Sequence, residues 1–538
     1  MSSDHLTVWD YVIVGAGSAG CVLANYLSES GSKRVLLLEA GPRAPLVLKS
    51  IASLAYLDLS RFDWHYHSQP DPTRGLRAEH WPRGRVVGGT SSINGMNFVR
   101  GSAGDYDRWA ALGNVGWAAK DVMPIFKSLE RCERGVGDTC ENGIRGRAGR
   151  LPVRQVKSCH PLTEAFLKAA QAAGHRFNAD YNGAAQEGVG YAQLNQRRGF
   201  RCSAADAFLK DALRRPNLQI QTDATVYKVL IANRRVSGVR FEVDGSVREV
   251  RANQVILSAG AINTPKLLML SGIGDPPMLK ASGLDVLVDR PTVGRNLMEH
   301  PAVELRYRAT RPTYNPTEGL MQKARFVAKM LLTGQGPLAS VVEAQAFLKT
   351  SSAEVEPDVQ IHFMLVGAAN QTEQSMGLVN YPAFTVLVNK SHPASRGQIR
   401  VATSDPNAPP IIDPNLLADD SDALTLVKGV DTVRRIMVKE PIASMVVEEL
   451  LPGPGTNSPT KVASYVRANT GLAYHPAGTC RMGADELAVV TPELQVRDIE
   501  GLWVADASIM PTLISGNINA ACMMIGAKLG RQLQRGEG

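Results

Sequence analysis

Residues 10–41 read DYVIVGAGSAGCVLANYLSESGSKRVLLLEAG, and this stretch decides the fold. An apolar run rich in β-branched residues leads through three closely spaced glycines into an apolar helical pattern, and a second apolar run follows before Glu39. The order strand, glycine-rich turn, helix and strand predicts a β-α-β unit. The chain is therefore predicted to contain a Rossmann-like α/β domain.

The three glycines have the spacing G-x-G-x-x-G, in which each glycine has its own task. Gly15 permits the tight turn, Gly17 lets the backbone approach a pyrophosphate, and Gly20 lets the helix pack closely against the strand. We expect the helix N-terminus, with Ser18 and Ala19, to face the phosphates of a dinucleotide.

Glu39 follows Gly20 by nineteen residues, the distance at which a carboxylate accepts hydrogen bonds from both ribose hydroxyls. A carboxylate there repels a 2′-phosphate, which disfavours NADP. Ala40 is predicted to lie beside the same cofactor. The fingerprint alone does not separate NAD from FAD.

Composition indicates a folded protein of two domains, with 538 residues, 44% hydrophobic and 20% charged residues. No apolar run reaches the roughly 18 residues of a membrane helix. The net charge of +8 is spread along the chain, so nucleic-acid binding is not expected, whereas attraction to an anionic cofactor or to a membrane surface is compatible with it. The oligomeric state is not specified.

Seven cysteines are scattered without C-x-x-C pairs. Their odd number argues against a fully paired secreted framework, and no cleavable signal is visible at the N-terminus. We therefore expect a reducing, cytoplasmic location, with peripheral membrane contact left open.

Two further stretches are rich in glycine. GRVVGGTSSINGMNFVRG (84–101) is compatible with a loop lying against a planar ligand, or with a simple connecting turn. NQVILSAGAINTPKLLMLSGIG (253–274) predicts a strand ending at Ala259-Gly260, a turn, and a short helix with Pro265 near its start.

These two stretches resemble the signatures of the glucose–methanol–choline (GMC) family of FAD-dependent oxidoreductases. VGRNLMEHP (293–301), YHPAGTCRMG (474–483) and LWVADASIMPTLISGNINA (502–520) resemble later motifs of that family in the same order. The resemblance spans residues 11 to about 530 and implies FAD rather than NAD. It implies no metal, and it places further FAD contacts at Val87, Asn94, Gly95, Met96, Asn97, Val226, Ala259, Gly260, Tyr474, Asp506, Ala507, Asn517 and Ile518.

The same resemblance implies that His475 is the catalytic base. Oxidation of an alcohol removes a hydroxyl proton and a hydride from one carbon, and an imidazole takes a proton near neutral pH. Asn519 matches the second catalytic position and is expected to hold the substrate oxygen. The other histidines, His300 and His362 among them, are expected to be structural.

The chain is thus expected to oxidise a primary alcohol to an aldehyde, passing a hydride to flavin N5, with oxygen or a quinone-like carrier as electron acceptor. Glu343 lies in ASVVEAQAF (339–347), which resembles an active-site stretch of the choline-dehydrogenase-like branch, and is a candidate partner of a cationic substrate. Two alternatives remain open: a hydroxynitrile-lyase-like enzyme without net redox turnover, and a non-catalytic flavin-binding protein.

The resemblance implies a discontinuous FAD domain, which we assign to residues 1–155, 202–300 and 471–538. The substrate domain is then 156–201 and 301–470. Strand-like runs such as AFTVLVN (383–389) and GQIRVAT (397–403) predict that it is built on an antiparallel sheet flanked by helices, so that the protein is α+β overall.

FAD is predicted to dissociate. Some relatives attach FAD through a histidine immediately before the asparagine of the first signature, and Ile93 occupies that position here. Acid denaturation of the yellow protein should release all of the flavin into the supernatant. Flavin absorbance that stays with the precipitated polypeptide would contradict this expectation.

Overall fold

The computed structural model describes residues 8–51, 61–133, 143–156, 159–315, 319–368 and 377–536. Two large sheets organise this part of the chain. The outermost ends of the predicted domain boundaries, residues 1 and 538, lie outside the described residues, as does Cys140.

The first sheet contains the predicted β-α-β unit. Val8–Val14 pairs in parallel with Val35–Leu38 on one side and with Ser246–Leu257 on the other. The full strand order is Leu218–Gln221, Val35–Leu38, Val8–Val14, Ser246–Leu257, Arg235–Val243 and Ala224–Ala232, with Leu502–Val504 pairing in parallel with Ser246–Leu257. The Rossmann-like α/β architecture predicted from residues 10–41 is confirmed.

The second sheet is antiparallel. Its order is Val446–Leu451, Pro301–Ala309, Ala383–Lys390, Val359–Met364, Val342–Leu348 and Gly188–Tyr191, with Gly471–Leu472 pairing with Pro301–Ala309. The run 383–389 belongs to it as expected. The run 397–403 does not, because Gln398–Arg400 pairs with Ile411–Asp413 in a separate ribbon.

Helices cover both sheets. In the described ranges they span Ser18–Leu27, Ala103–Ala111, Ala119–Leu129, Pro161–Ala172, Lys210–Ala212, Gly260–Leu270, Pro276–Ala281, Gly319–Thr333, Asp420–Met437, Pro459–Asn469 and Asn519–Arg535. Short strands occur at Tyr66–His67, His80–Trp81, Glu130–Glu133, Leu151–Gln155, Gln193–Leu194, Gln196–Arg197, Phe200–Arg201, Ile273–Gly274 and Val288–Asp289. Asp420–Met437 packs apolar residues such as Val430 against the second sheet. None of these described helices is long and apolar enough to cross a bilayer.

Pro265 lies inside a helix rather than near its start, because the helix begins at Gly260. A proline cannot donate to the carbonyl four residues earlier. That carbonyl, of Ala261, accepts a hydrogen bond from Thr479 Oγ1 at 2.6 Å instead. A hydroxyl from a distant segment thus replaces the missing backbone donor.

The described cysteines fall into two states. Cys21, Cys159, Cys202, Cys480 and Cys522 are free thiols, whereas Cys132 is disulfide-bonded. The scattered spacing did not predict this disulfide, and the cytoplasmic location stays a prediction.

The last helix packs against the first helix and brings the C-terminal motif to the glycine turn. A Cβ on Gly526 would lie 2.6 Å from the carbonyl oxygen of Ala19, so only glycine permits this approach. At the start of the same helix, Asn519 Oδ1 accepts a hydrogen bond from Ser18 Oγ at 2.7 Å. Residues 501 positions apart therefore meet at one site.

Replacing Gly526 with alanine should destabilise the fold, since overpacking of a tight contact costs about 1–3 kcal/mol. Thermal unfolding of the holoprotein measures the effect, and Gly455→Ala is the matched control because a Cβ there meets no atom within 4 Å. Equal melting temperatures for the two variants would show that the two helices separate without cost.

Candidate active site

A cavity of about 1400 Å³ is lined by residues from both sheets. Gly15, Ser18 and Glu39 line it from the β-α-β unit of the first sheet, and Glu304 and His362 line it from strands of the second sheet. Its volume exceeds the roughly 300–1,000 Å³ of a single drug-sized ligand and leaves room for a dinucleotide together with a small substrate.

Gly20, Gly17 and Gly260 differ in what a side chain at each position would contact. A Cβ on Gly20 would lie 1.9 Å from the carbonyl oxygen of Gly15, so Gly20 allows close packing and does not itself line the cavity. Gly17 and Gly260 do line it, and a Cβ on either would meet no atom closer than 3.9 Å. Their backbone is exposed to whatever occupies the cavity.

Glu39 is fixed at the end of its strand. Its two carboxylate oxygens accept hydrogen bonds from the backbone N–H groups of Ala16, at 2.8 Å, and Gly41, at 2.9 Å. Burial raises the pKa of Glu39 to about 7, and the two backbone donors favour the charged form. The second lone pair of each oxygen remains suited to a ribose hydroxyl.

Most of the residues predicted to contact FAD line this cavity: Gly15, Gly17, Ser18, Ala19, Glu39, Ala40, Asn94, Gly95, Met96, Asn97, Val226, Ala259, Gly260, Tyr474, Asp506, Ala507, Asn517 and Ile518. Val87 does not, because its side chain packs into the core around the first sheet. Ile93 also lines the cavity, as a side chain that offers no point of covalent attachment. The bare backbone at the turn and the oriented carboxylate of Glu39 fit FAD.

His475 lies where the two sheets meet. The bridge between Met298 and Ala477 holds its segment beside the start of strand Pro301–Ala309. Its backbone N–H donates to Glu299 Oε1 at 2.7 Å, and its side chain is 8% exposed at the cavity wall. Burial lowers the pKa of His475 well below its ordinary value, and neighbouring His300, His362 and Arg83 lower it further.

His300 fixes the tautomer of His475. Its Nε2 lies 3.0 Å from the carbonyl oxygen of Ser391 and 3.1 Å from that of Ile514, and carbonyls only accept, so this nitrogen carries a proton. Burial lowers the pKa of His300 to about 4, so the ring is neutral and its Nδ1 has a lone pair. His475 Nδ1, 2.9 Å away, must therefore donate, which leaves a lone pair on His475 Nε2.

The amide beside His475 belongs to Asn517, so the expectation that Asn519 occupies this position is wrong. Asn517 Nδ2 lies 3.0 Å from His475 Nε2, and Asn517 Oδ1 accepts a hydrogen bond from Gln360 Nε2 at 3.1 Å. Asn519 is the first residue of the last helix, and its side chain instead accepts from Ser18 at the glycine turn. Asn517 precedes the helix, whereas Asn519 is its first residue, so the two side chains leave the backbone in different directions.

Glu343 is also misassigned as a cavity residue. It is 2% exposed and absent from the cavity wall. Its carboxylate accepts from the backbone N–H of His160 at 2.7 Å, from Thr163 Oγ1 at 2.9 Å and from the Tyr314 hydroxyl. It thus caps the N-terminus of helix Pro161–Ala172, where negative charge is favourable.

Sequence reasoning missed three site residues. His300 and His362 were expected to be structural, although His300 lies inside the motif 293–301, and Asn517 was assigned only to the cofactor. The sequence did contain a signal for His300, because this histidine is the next-to-last residue of the family motif 293–301. For His362, which lines the cavity from the second sheet, no signal in the sequence was available.

Comparison with known proteins identifies the family that the sequence motifs resemble. A family model described as GMC oxidoreductase matches residues 9–302, and a second model of that description matches residues 393–526. The chain is 39% identical over 531 residues to a protein named alcohol dehydrogenase (acceptor) from Pseudomonas putida, covering 96% of this chain and 94% of that protein.

Two further proteins similar to this chain are named as a dehydrogenase and an oxidase. A protein named oxygen-dependent choline dehydrogenase from Sinorhizobium fredii is 39% identical over 526 residues, covering 96% of this chain and 94% of that one. The solved structure of pyridoxine 4-oxidase from Mesorbium loti superposes with a TM-score of 0.87 at 31% identity, covering 98% of this chain and 99% of that one.

Proposed function

The chain belongs to the GMC oxidoreductase family, whose members act on CH–OH donors, and from this premise we propose that it oxidises a neutral primary alcohol to the aldehyde. His475 is the general base in this proposal. The observation that carries it is the lone pair on His475 Nε2 at the wall of the cavity.

His475 is suited to accept the hydroxyl proton of an alcohol. Its depressed pKa keeps the imidazole unprotonated at neutral pH, so the base is present in its active form. Its Nδ1–H donates to His300, which holds the ring in the tautomer whose Nε2 accepts. His300 acts through His475 and is a positioning residue.

Asn517 is suited to hold the substrate oxygen. Its Oδ1 is engaged by Gln360, which directs the two amide protons towards His475 and the cavity. An alcohol that enters between the two side chains would replace their present hydrogen bond, because its hydroxyl would donate to His475 Nε2 and its oxygen would accept from Asn517 Nδ2. That hydrogen bond strengthens as the oxygen gains negative charge.

FAD, held without a covalent link, would supply the hydride acceptor when bound. The first turn of helix Asn519–Arg535 faces the cavity through Asn519 and Cys522. Free N–H groups at a helix start favour negative charge nearby, which suits a cofactor that gains electrons.

A neutral substrate is favoured because every described acidic residue on the cavity wall is already engaged. Glu79 pairs with Arg74 at 2.7 Å, and Glu304 pairs with Arg306 at 2.7 Å. Asp506 accepts from the backbone N–H of Gly260 at 2.8 Å and from Thr264, and Glu39 accepts from two backbone N–H groups. A cationic headgroup would find no acidic residue on the described wall that lacks a hydrogen bond or an ion pair, since Glu343 lies elsewhere.

Anaerobic titration of the purified holoprotein with alcohols tests the proposal. Aliphatic and benzylic primary alcohols should bleach the flavin at lower concentrations than choline does, and admission of air then measures reoxidation. Fast recolouring identifies oxygen as the acceptor, whereas slow recolouring that a soluble quinone accelerates identifies a quinone-type carrier.

Three results would count against the proposal. Preferential bleaching by choline would contradict the neutral substrate. The absence of bleaching with any alcohol would favour a lyase or a non-catalytic flavin protein, and cleavage of a cyanohydrin without bleaching would identify the lyase.

His475→Ala should lower turnover by about 10² to 10⁴ with FAD retained, the usual range for loss of a general base.

Single substitutions distinguish the two asparagines. Asn517→Ala should lower turnover at least about tenfold, whereas Asn519→Ala should weaken FAD binding and recover turnover at saturating FAD. Asn407→Ala, at an exposed position, is the control. If Asn519→Ala lost more turnover than Asn517→Ala at saturating FAD, Asn519 and not Asn517 would be the catalytic residue.

A further inference from the structure

A second cluster of histidines lies at the cavity wall and shares no residue with the group formed by His475, His300 and Asn517. The two-stranded ribbon of Tyr66–His67 and His80–Trp81 carries it, and Asp63 and His65 precede the first strand. His67 and His80 line the cavity, so the cluster borders the proposed active site without belonging to it.

One carboxylate and two imidazoles of this cluster converge. His80 Nε2 lies 2.6 Å from Asp63 Oδ2, and His65 Nδ1 lies 3.7 Å from the same oxygen. All three ligand atoms lie within 4.8 Å of one another. Neighbouring ligand atoms of a tetrahedral zinc ion are about 3.3 Å apart, so side-chain shifts of about 1 Å would complete this geometry.

The surroundings keep the carboxylate in place and leave a path for an ion. Asp63 Oδ1 accepts a hydrogen bond from the backbone N–H of Arg83 at 2.7 Å, which directs Oδ2 towards the imidazoles. Such an outer hydrogen bond is the usual support of a metal-binding carboxylate. The Asp63 side chain is fully buried, whereas 44% of the His65 side chain is exposed to solvent.

We propose that Asp63, His65 and His80 bind a divalent cation of the zinc class, with water as the fourth ligand. Two neutral imidazoles and one carboxylate are donors that Zn²⁺ prefers over Mg²⁺ or Ca²⁺. A bound ion would tie residues 63–65 to the strand His80–Trp81, and so would brace this wall of the cavity.

The other cluster of comparable composition does not carry such a proposal. Asp105, Glu356 and His392 also converge, but Arg108 reaches both carboxylates at 2.5 Å. A guanidinium in that position already supplies the positive charge that a metal would bring.

Equilibrium dialysis of the metal-stripped holoprotein against Zn²⁺ tests the site. The unaltered chain should bind one equivalent, and His65→Asn and His80→Gln should each weaken binding at least about tenfold. Asparagine tolerates the positive φ of 52° at position 65, and glutamine keeps a donor for Asp63, so both variants should fold and retain FAD. His175→Asn, which removes an imidazole elsewhere, is the control.

Thermal unfolding gives a second readout that needs no variant. Zn²⁺ should raise the melting temperature of the unaltered holoprotein at a concentration at which Mg²⁺ does not. The proposal is overturned if no equivalent binds, if His65→Asn and His80→Gln both bind as tightly as the unaltered chain, or if His175→Asn loses as much affinity as they do.

Discussion

The hydrogen bond from His475 Nδ1 to His300 Nδ1 is the interaction on which the rest of the site depends. It works because His300 Nε2 is committed to two backbone carbonyl oxygens, those of Ser391 and Ile514. These carbonyls come from segments 123 residues apart, one near the second sheet and one before the last helix. The protonation of a single ring is thereby linked to the assembly of both halves of the protein.

Burial is the other constraint on this pair. Two imidazoles in contact, both removed from water, cannot both be charged without a large cost, and burial accordingly lowers the pKa of each. The neutral state gives His475 its accepting nitrogen. Negative charge gained in the same cavity would stabilise an imidazolium formed during turnover, and would thereby couple proton transfer electrostatically to electron transfer.

The sequence predicted the parts of the structure that local patterns determine. The glycine spacing of residues 15–20 required a tight turn and a close helix, and the carboxylate of Glu39 lies where its spacing predicted. Contacts between distant segments were harder to predict. Asn517 and Asn519 are both polar residues at a helix start, and only the packing of that helix decides which of them faces His475. The prediction that Glu343 contacts the substrate failed for a similar reason. Whether a strand residue faces the cavity or the opposite side depends on the register of the strand.

The contact between Ser18 and Asn519 has a consequence for how the protein is made. One partner belongs to the first helix and the other to the last, 501 residues later. During synthesis the glycine turn emerges first, and the start of the helix that closes the cofactor site emerges 501 residues later. Domains generally fold as they are synthesised, but this site needs two segments that are far apart in the sequence. The nucleotide end of the site is available before the flavin end, so the complete FAD site forms only after the chain has been synthesised beyond Asn519.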